Sequence, residues 1–375
     1  MKIVIGLSGG VDSSVAAYLL KKAGHEVIGC TMRTFDTERS LRELEDARKI
    51  AEKLDIPFIV MDRRKEFEED VIRYFVSEYV HGRTPNPCCI CNRRVKWQTL
   101  LDCMKEQGAD KVATGHYSGI GELCGRYYIK KADKLDKDQS YALYNLTQEE
   151  ISHTIMPLSG YNKDEVRAIA EEAGLFNSDK PDSQEICFIP DKDYAGFIER
   201  HKELLPEDIL VSSTDKGVDA VDKETLKWNE PGNFVDINGK ILGQHKGIIN
   251  YTVGQRKGLG IALGKRIFVR EIRPLSNEVV LSDNDEVFSD RLVCEDVNFQ
   301  AVDFESISAI DADAELKAIV KIRYADKGTR AVIRRAEETG RYVVSFEQPV
   351  RAVTPGQAAV FYDEEDRLLG GGLIV

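Results

Sequence analysis

The first residues suited to chemistry form the heptapeptide Ser8-Gly9-Gly10-Val11-Asp12-Ser13-Ser14. It lies between a short apolar, β-branched run and a segment whose apolar residues recur at helical spacing. The two glycines allow a tight turn and a close backbone approach to a ligand. The amides that begin the following helix carry a partial positive charge suited to phosphate, and three serine hydroxyls add donors. The heptapeptide therefore predicts a phosphate-binding loop.

This loop differs from the Walker type, because the lysine-containing pattern G-x-x-x-x-G-K-[ST] is missing from the sequence. Without that lysine, the pattern favours binding of a pyrophosphate group over transfer of a γ-phosphate. A plain strand-to-helix turn with a serine cap would explain the two glycines but not the whole heptapeptide. The heptapeptide resembles the PP-loop of ATP pyrophosphatases, which cleave ATP between its α- and β-phosphates.

Cysteines form the second group of reactive residues. The segment 84–92 reads TPNPCCICN and holds Cys88, Cys89 and Cys91 in a loop stiffened by two prolines. A helix is predicted to follow, with Arg93, Arg94 and Lys96 in its first turns. A thiol near a helix N-terminus and beside cations is expected to have a lowered pKa, which predicts a reactive Cys91.

Cys187 lies far along the chain in the apolar segment DSQEICFIP. Taken alone, this segment favours a buried core cysteine, since unpaired cysteines are commonly buried. Cys88, Cys91 and Cys187 could also supply three thiolates to an iron–sulfur cluster. Zinc is not expected, because the sequence offers no second C-x-x-C and no paired histidines as further ligands.

Strand-like and helix-like segments alternate from the N-terminus to about residue 200, which predicts a parallel sheet built from βαβ units. The predicted strands are Lys2–Leu7, Glu26–Met32, Pro57–Asp62 and Lys111–Gly115, and the predicted helices are 13–23, 40–54, 64–80, 92–107 and one that begins near Asn162. His116 directly follows one of these strands, where doubly wound sheets bind ligands. The polar run Lys137-Asp138-Gln139 would otherwise be interpreted as the solvated start of a helix.

The remainder of the chain is predicted to be mostly β-structure. Residues 205–280 are rich in glycine and weakly periodic, which indicates a small, loop-rich segment. The C-terminal part shows short alternating strands typical of a barrel, with turns at Thr339-Gly340 and at Thr354-Pro355-Gly356. The predicted barrel strands are Leu316–Arg323, Arg330–Arg335, Arg341–Phe346, Ala358–Tyr362 and Leu368–Val375.

Charge and composition narrow the functional classes. The net charge of −12 argues against a nucleic-acid partner. However, residues 281–316 hold eleven acidic residues and one basic residue, whereas residues 246–273 hold seven basic residues and one acidic residue. A polyanion could therefore bind one face. No segment is apolar enough for a membrane helix, and eight sparse cysteines favour a reducing cytoplasm.

Seven motifs now identify a family resemblance. SGGVDSS, TPNPCCICN, ATGHY, KDQSY, DSQEICFI, YTVGQRKGLGI and VTPGQ occur in order between residues 8 and 357. Together they resemble the tRNA-specific 2-thiouridylase (MnmA) family over nearly the whole chain. The resemblance implies a Rossmann-like (HUP/PP-loop) parallel-sheet domain over 1–204, a small central β-rich domain over 205–282 and a C-terminal β-barrel over 283–375.

The same resemblance implies an activity. ATP and Mg²⁺ would serve to adenylate the C2 oxygen of the wobble uridine, at position 34 of tRNA, and a persulfide sulfur would then replace that oxygen. The products would be 2-thiouridine, AMP and pyrophosphate. Cys187 matches the cysteine that carries the persulfide and Cys91 the nucleophile that forms a disulfide with it, with Asp12 as a further catalytic position. The implied partners are tRNA and a persulfide-carrying sulfur donor, with no membrane.

Individual contacts follow from the motif positions. ATP contacts are implied for Gly6, Leu7, Ser8, Gly9, Gly10, Val11, Asp12, Ser13, Met32 and Gly115. The flipped base would meet Asn86, Pro87 and Cys88, although another branch of the family has an aspartate at the position of Cys88. Further tRNA contacts are implied for His116, Lys137, Asp138, Gln139, Arg323, Tyr324 and Gln357, with the basic run 256–270 near the backbone.

Two alternatives stay open at this point. One is a cluster-dependent tRNA thiolase, in which Cys88, Cys91 and Cys187 hold an iron–sulfur cluster and no persulfide forms. The other is a PP-loop synthetase that acts on a small molecule. That second alternative leaves the barrel and the cysteine pair without a role, and no glutaminase-like domain supplies it with ammonia.

Overall fold

The computed structural model describes residues 1–177, 186–206, 226–338 and 340–375 completely, and residues 208–213 and 217–222 through their backbone alone. Residues 182–185 of the DSQEICFI motif and residue Thr339 of a predicted turn lie outside the described residues.

The N-terminal region contains the predicted parallel sheet. Its strands are β1 (Lys2–Gly6), β2 (Glu26–Arg33), β3 (Phe58–Asp62), β4 (Lys111–Ala113), the hairpin β5 (Gly119–Leu123) and β6 (Arg126–Lys130), and β7 (Thr154–Ile155). Five of them form a sheet in the order β3-β2-β1-β4-β7 with every neighbouring pair parallel. The connections reverse direction between β1 and β4, and the crevice at such a point is where doubly wound sheets bind ligands.

Helices cover the sheet and pack their apolar faces against it. They are α1 (Val11–Lys22), α2 (Glu38–Lys53), α3 (Arg64–Phe67), α4 (Arg73–Val80), α5 (Pro87–Cys91), α6 (Gln98–Gln107), α7 (Gln148–Ser152), α8 (Lys163–Glu172) and α9 (Tyr194–Arg200). The π-helical segments Glu68–Ile72 and Asn92–Trp97 join α3 to α4 and α5 to α6. As predicted, α8 begins with a capping box between Asn162 and Glu165.

The predicted helix 92–107 in fact begins five residues earlier. Asn86 is the N-cap, its Oδ1 accepts a hydrogen bond from the Cys88 amide at 3.2 Å, and Pro87 occupies the first helical position. Proline suits that position because the helix needs no amide donor there. The cysteines of the TPNPCCICN motif therefore lie inside a helix, and the prediction that they lie in a loop is wrong.

The central region is mostly β-structure, as expected. It contains the hairpin β8 (Asp208–Ser213) and β9 (Gly217–Asp222), followed by β10 (Gly232–Val235), β11 (Ile241–His245), β12 (Phe268–Arg273) and β13 (Glu278–Ser282). The last four form a sheet in the order β11-β10-β13-β12.

The C-terminal region forms the predicted barrel. Its elements are β14 (Phe288–Phe299), α10 (Phe304–Ile310), β15 (Leu316–Lys321), β16 (Thr329–Arg335), β17 (Tyr342–Arg351), β18 (Ala358–Tyr362) and β19 (Leu368–Ile374). The six strands close in the order β14-β17-β16-β15-β18-β19. The long strand β14 is absent from the predicted set, because the acidic residues that interrupt its apolar positions hide the alternation.

Buried side chains join the barrel to the N-terminal region. One apolar cluster contains Cys89, Trp97 and Tyr141 from the N-terminal region and Val360 and Tyr362 from β18. Beside it, the fully buried Gln300 donates hydrogen bonds from Nε2 to three backbone carbonyls, those of Leu143, Tyr144 and Leu146, at 3.0–3.2 Å. Its Oε1 accepts one from the Ile129 amide at 3.0 Å.

We predict that Gln300→Leu lowers the free energy of unfolding by about 2 kcal/mol, because it leaves buried backbone groups without partners. Urea unfolding followed by tryptophan fluorescence measures this loss. The control Gln244→Leu, on an exposed position of β11, should change stability by less than about 0.5 kcal/mol. Equal effects of the two substitutions would contradict a bridging role for Gln300.

Candidate active site

The heptapeptide forms the turn between β1 and α1. Gly9 has a φ of +71°, and a Cβ there would lie 2.5 Å from the carbonyl oxygen of Glu43, so only glycine fits. The N-cap of α1 is Gly10, which has no side chain to satisfy the first helical amides. A helix N-terminus of this kind suits an anionic ligand.

Serine hydroxyls hold this turn in shape. The Ser8 amide donates to Ser13 Oγ at 3.2 Å, and the hydroxyls of Ser13 and Ser14 donate to the Gly10 carbonyl at 3.1 and 2.8 Å. Asn177 reaches the same turn from beyond α8 and donates to the Gly9 carbonyl at 3.2 Å. The loop is therefore preorganised before any ligand binds.

Asp12 takes part in a polar network that the sequence did not reveal. Its Oδ1 accepts a hydrogen bond from the Tyr117 hydroxyl at 2.6 Å. The buried Lys163 ammonium lies 2.8 and 2.9 Å from the two carboxylate oxygens. Lys163 is 151 positions away in sequence and carries no local signal, whereas Tyr117 belongs to the quoted ATGHY motif. This ion pair fixes the carboxylate at the entrance to α1.

A cavity of about 340 Å³ opens at the carboxyl ends of β1, β2 and β4. Of the residues with an implied ATP contact, those that line it are Gly6, Leu7, Ser8, Asp12, Ser13, Met32 and Gly115. Gly9, Gly10 and Val11 complete the same turn without lining the described cavity. The cavity also includes Glu43, Lys96, His116, Gln139 and Cys187.

Gly115 brings the loop after β4 against the loop after β1. A Cβ at this position would lie 2.7 Å from the Ser13 amide nitrogen and 2.8 Å from the carbonyl carbon of Asp12. Real Cβ contacts are not that short, and backbone atoms cannot swing aside as a flexible side chain does. Glycine is therefore needed for the two loops to share one cavity.

Cys187 is exposed at this cavity, so its interpretation as a buried core cysteine is wrong. The neighbouring Phe188 anchors the segment, with its ring centroid 5.2–5.5 Å from those of Phe67, Phe75 and Phe197. Although the residue is exposed at the cavity, the surrounding cavity walls reduce the solvation of its thiolate and raise the pKa of Cys187 to about 12, and nearby charge on Cys91 and Cys88 acts in the same direction.

Cys91 is buried in the same apolar cluster that contains Ile189. Burial raises the pKa of its thiol to about 11, and the Lys96 charge only partly opposes this. The expectation of a lowered pKa is therefore wrong, because Cys91 is the last residue of α5, away from the helix N-terminus, and lies in an apolar core. Arg93 and Arg94, which were expected to lower it, are exposed.

Cys91 and the residues that flank Cys187, Ile186 and Phe188, pack in one apolar cluster, and Cys88 lies one helical turn before Cys91 on α5, so the three cysteines lie in one neighbourhood. All eight cysteines are free thiols, and Cys88 is exposed. Within the part of the chain that the structure describes, no group of three or more His, Cys, Asp or Glu residues is arranged to hold a metal ion.

Lys96, one of the cations expected to act on Cys91, lies at the cavity itself. Its Nζ donates to Asn92 Oδ1 at 2.9 Å, and the buried Asn92 in turn donates to the Ala142 carbonyl at 2.9 Å. Lys96 lines the cavity together with His116. Burial and the Lys96 charge lower the pKa of His116 to about 3, so its imidazole is neutral at physiological pH. The Nδ1 atom of that ring lies 2.9 Å from Thr114 Oγ1.

Several implied tRNA positions meet between the N-terminal region and the barrel. The Tyr324 hydroxyl donates to the Asp138 carbonyl at 2.8 Å, while the Asp138 carboxylate accepts from the Ala132 and Ser140 amides. Lys137 and Gln139 flank Asp138, and Gln139 lines the cavity. Arg323 is exposed beside Tyr324.

Other implied contacts have structural partners. Pro87 is buried, Asn86 caps α5, and the Gln357 side-chain amide donates to the Thr84 carbonyl at 2.7 Å. The basic side chains of the run 256–270 are exposed, and Lys265 pairs with Asp283 at 2.8 Å. Among the described residues, we find no helix with the length and apolar character needed to cross a membrane.

We predict that folding stability falls less steeply on acidification in a His116→Gln variant than in the parent chain. Between pH 6.5 and pH 3 the unfolded imidazole binds a proton that the folded one does not, so the parent chain loses stability as the pH falls through this window. Urea unfolding at pH 7.0 and 5.5 should show a difference of about 1 kcal/mol in that loss. Equal losses in the two proteins would contradict a buried neutral His116.

Three family models match the chain. Residues 1–191 match a tRNA methyl transferase HUP domain, residues 223–283 a tRNA methyl transferase PRC-barrel domain and residues 290–374 an aminomethyltransferase beta-barrel domain. A solved structure described as U34-tRNA thiolase NcsA from Methanococcus maripaludis with its [4Fe-4S] cluster is 18% identical over 54% of this chain and 71% of that chain. Its TM-score of 0.35 is too low to bear on function.

Curated relatives match the whole chain. A tRNA-specific 2-thiouridylase MnmA of Lachnoclostridium phytofermentans is 49% identical over 100% of this chain and 99% of its own length. Proteins of the same name from Clostridium perfringens and Clostridioides difficile are 46% and 45% identical over 100% of this chain and 98% of theirs. With that identity along its full length, the chain belongs to the tRNA-specific 2-thiouridylase family.

Proposed function

We propose that this protein uses ATP to replace the C2 oxygen of the wobble uridine of tRNA with sulfur, releasing AMP and pyrophosphate. The observation that carries the proposal is that Cys187 lines the same cavity as the PP-loop. A nucleotide bound there would lie beside a thiol able to carry sulfur.

Activation of the base comes first. An amide-like carbonyl oxygen leaves poorly, and its adenylation turns it into a good leaving group. The amides at the start of α1 and the serine hydroxyls would hold the phosphates during this step. Asp12 and Glu43 line the cavity, and their carboxylates are of the ligand type that would hold Mg²⁺ there. The bound ion would offset the phosphate charge.

Sulfur transfer follows at the cysteines. The terminal sulfur of a persulfide on Cys187 attacks C2, and the Cys91 thiolate attacks the Cys187 Sγ. The persulfide S–S bond breaks, the sulfur stays on the base, AMP leaves, and a Cys91–Cys187 disulfide forms that an external thiol must reduce. The shared packing of Cys91 and the residues that flank Cys187 supports this step, and the cavity-lining Lys96 would stabilise the thiolates.

The implied contacts give the tRNA its place in this proposal. The target base would enter next to Asn86, Pro87 and Cys88. The exposed Arg323 and Tyr324 would contact the RNA strand on either side of that base. A persulfide-carrying protein would deliver sulfur to an exposed thiol, in the cytoplasm. We also propose the domain boundaries at 204/205, inside the segment 192–222 that the matched models leave unassigned, and at 282/283, one residue before the end of the second matched model.

A cluster-dependent version of the same reaction uses the same three cysteines. The shared neighbourhood of Cys88, Cys91 and Cys187 favours it. Against it, the thiols in the described structure are not arranged as metal ligands.

Cys88 is not assigned the acid–base role of the aspartate found at its position in another branch of the family, because a thiol is a poor substitute for a carboxylate in that role.

We predict that Cys91→Ser and Cys187→Ser each reduce thiolation at least 1000-fold, because each removes a sulfur that must form or break a bond. The affinity for ATP should change less than about twofold. The measurement is mass spectrometry of wobble nucleosides from tRNA incubated with protein, ATP and a persulfide donor. Cys124→Ser, at an exposed turn between β5 and β6, is the matched control and should keep full activity.

Two outcomes separate the versions of the reaction. Full activity of Cys187→Ser with a persulfide donor would overturn the persulfide role. Iron and sulfide in stoichiometric amounts after anaerobic purification, lost in Cys88→Ser together with activity, would replace the persulfide mechanism with the cluster-dependent one.

We predict that Arg323→Ala weakens tRNA binding and lowers the slope of log K against log salt concentration by about one, as expected for one lost phosphate contact. No carboxylate pairs with the Arg323 guanidinium among the described residues, so the side chain is available. Filter binding between 50 and 200 mM salt measures the slope. Arg200→Ala, at the exposed last residue of α9, should leave it unchanged, and an unchanged slope in Arg323→Ala would refute the contact.

A further inference from the structure

We propose that the barrel turn Thr354–Gln357 and Thr252 of the central region are positioning elements for α5, the helix that carries Cys88 and Cys91. Both meet the chain at Thr84, two residues before the N-cap of that helix. The link to sulfur transfer rests on the proposed function, whereas the positioning itself does not. We call this meeting point the Thr84 junction.

The barrel turn binds both backbone groups of Thr84. The Thr84 amide donates to the Pro355 carbonyl at 2.8 Å, and the Gln357 side-chain amide donates to the Thr84 carbonyl at 2.7 Å. A single residue of the N-terminal region is thereby held at two points by one turn of the barrel. Such a paired arrangement fixes the orientation of a peptide unit as well as its distance.

The contact is close because the turn has a glycine at its tip. Gly356 has a φ of +87°, and a Cβ there would lie 3.0 Å from the Thr84 amide nitrogen and 3.1 Å from the Arg83 Cβ. A positive φ and a short approach to backbone both require glycine. The TPGQ sequence therefore has a structural reason in this chain, independent of any contact with tRNA.

The central region supplies a third contact. The Thr84 hydroxyl donates to Thr252 Oγ1 at 3.1 Å. The central region and the barrel also touch directly beside it, since a Cβ on Gly254 would lie 2.5 Å from the Ala352 Cβ. All three regions thus meet at the junction, and movement of either β-region would shift Thr84.

The junction lies next to the reactive helix. Asn86 caps α5, and the carbonyl of Cys89 within the helix accepts a hydrogen bond from Asn145 Nδ2 at 3.0 Å. The buried Cys89 belongs to the same apolar cluster as Ala358 of β18, the strand that directly follows the turn. One segment of the barrel therefore holds the entrance of α5 and its inner face together.

This arrangement gives Gln357 a different role from the one implied by the family resemblance. Its amide is engaged with Thr84, so its loss should act on α5 before it acts on bound tRNA. Loss of a tRNA contact and loss of a positioning residue are expected to change different quantities, the dissociation constant for tRNA and kcat. A tRNA contact alters affinity, while a positioning residue alters the rate of the step that Cys91 carries out.

The decisive test is thiol alkylation of the full chain without tRNA, followed by mass spectrometry of each cysteine. In Gln357→Leu we expect Cys89 and Cys91 to react about tenfold faster with iodoacetamide, because α5 opens more often. The buried Cys30 and Cys103 belong to a separate apolar cluster beneath the parallel sheet and should react at the parent rate, which excludes general loosening of the fold. Uniform acceleration, or none, would overturn the proposal.

Two further variants keep the test independent of folding defects. Thr252→Val should accelerate alkylation of Cys89 and Cys91, and Thr252→Ser, which keeps the hydroxyl, should restore the parent rate. In thiolation assays Gln357→Leu should lower kcat about tenfold with a nearly unchanged dissociation constant for tRNA. Weaker tRNA binding with unchanged kcat and unchanged alkylation would instead establish Gln357 as a tRNA contact.

Discussion

The approach of Gly115 to the backbone of Ser13 is the constraint on which the site depends. It sets the spacing between the loops after β1 and β4, which are neighbours in the sheet although they lie about a hundred residues apart in sequence. With that spacing, Tyr117 reaches Asp12 and the cavity closes on one side. The shape of the proposed nucleotide cavity therefore follows from a contact that a single methyl group would prevent.

The electrostatics of the cavity suit an anionic ligand. Loss of solvation keeps the thiols of Cys91 and Cys187 protonated near neutral pH, so neither adds negative charge beside the phosphates. His116 is neutral for the same physical reason, and Lys96 contributes positive charge to the cavity wall. The resting thiols would thus add no repulsion of the proposed ATP ligand beyond that of the Asp12 and Glu43 carboxylates.

Local patterns predicted much of this structure, and contacts distant in sequence account for the rest. Strand alternation and helical periodicity gave the parallel sheet and the barrel, since both depend on which side chains face a core. The start of α5 was missed although Asn86-Pro87 is a helix-start signal in itself. The pKa of Cys91 could not be predicted, because the apolar cluster around it comes from residues far along the chain.

The difference in exposure between the two cysteines orders the proposed sulfur transfer. A carrier protein cannot reach Cys91, which is buried in a helix held at Thr84 and packed against the barrel. It can reach Cys187, which is exposed at the cavity and tethered by Phe188. Sulfur must then enter at Cys187, and Cys91 can act only on sulfur already bound inside the site. Burial of the second thiol thereby protects it from outside oxidants until the adenylated base is in place.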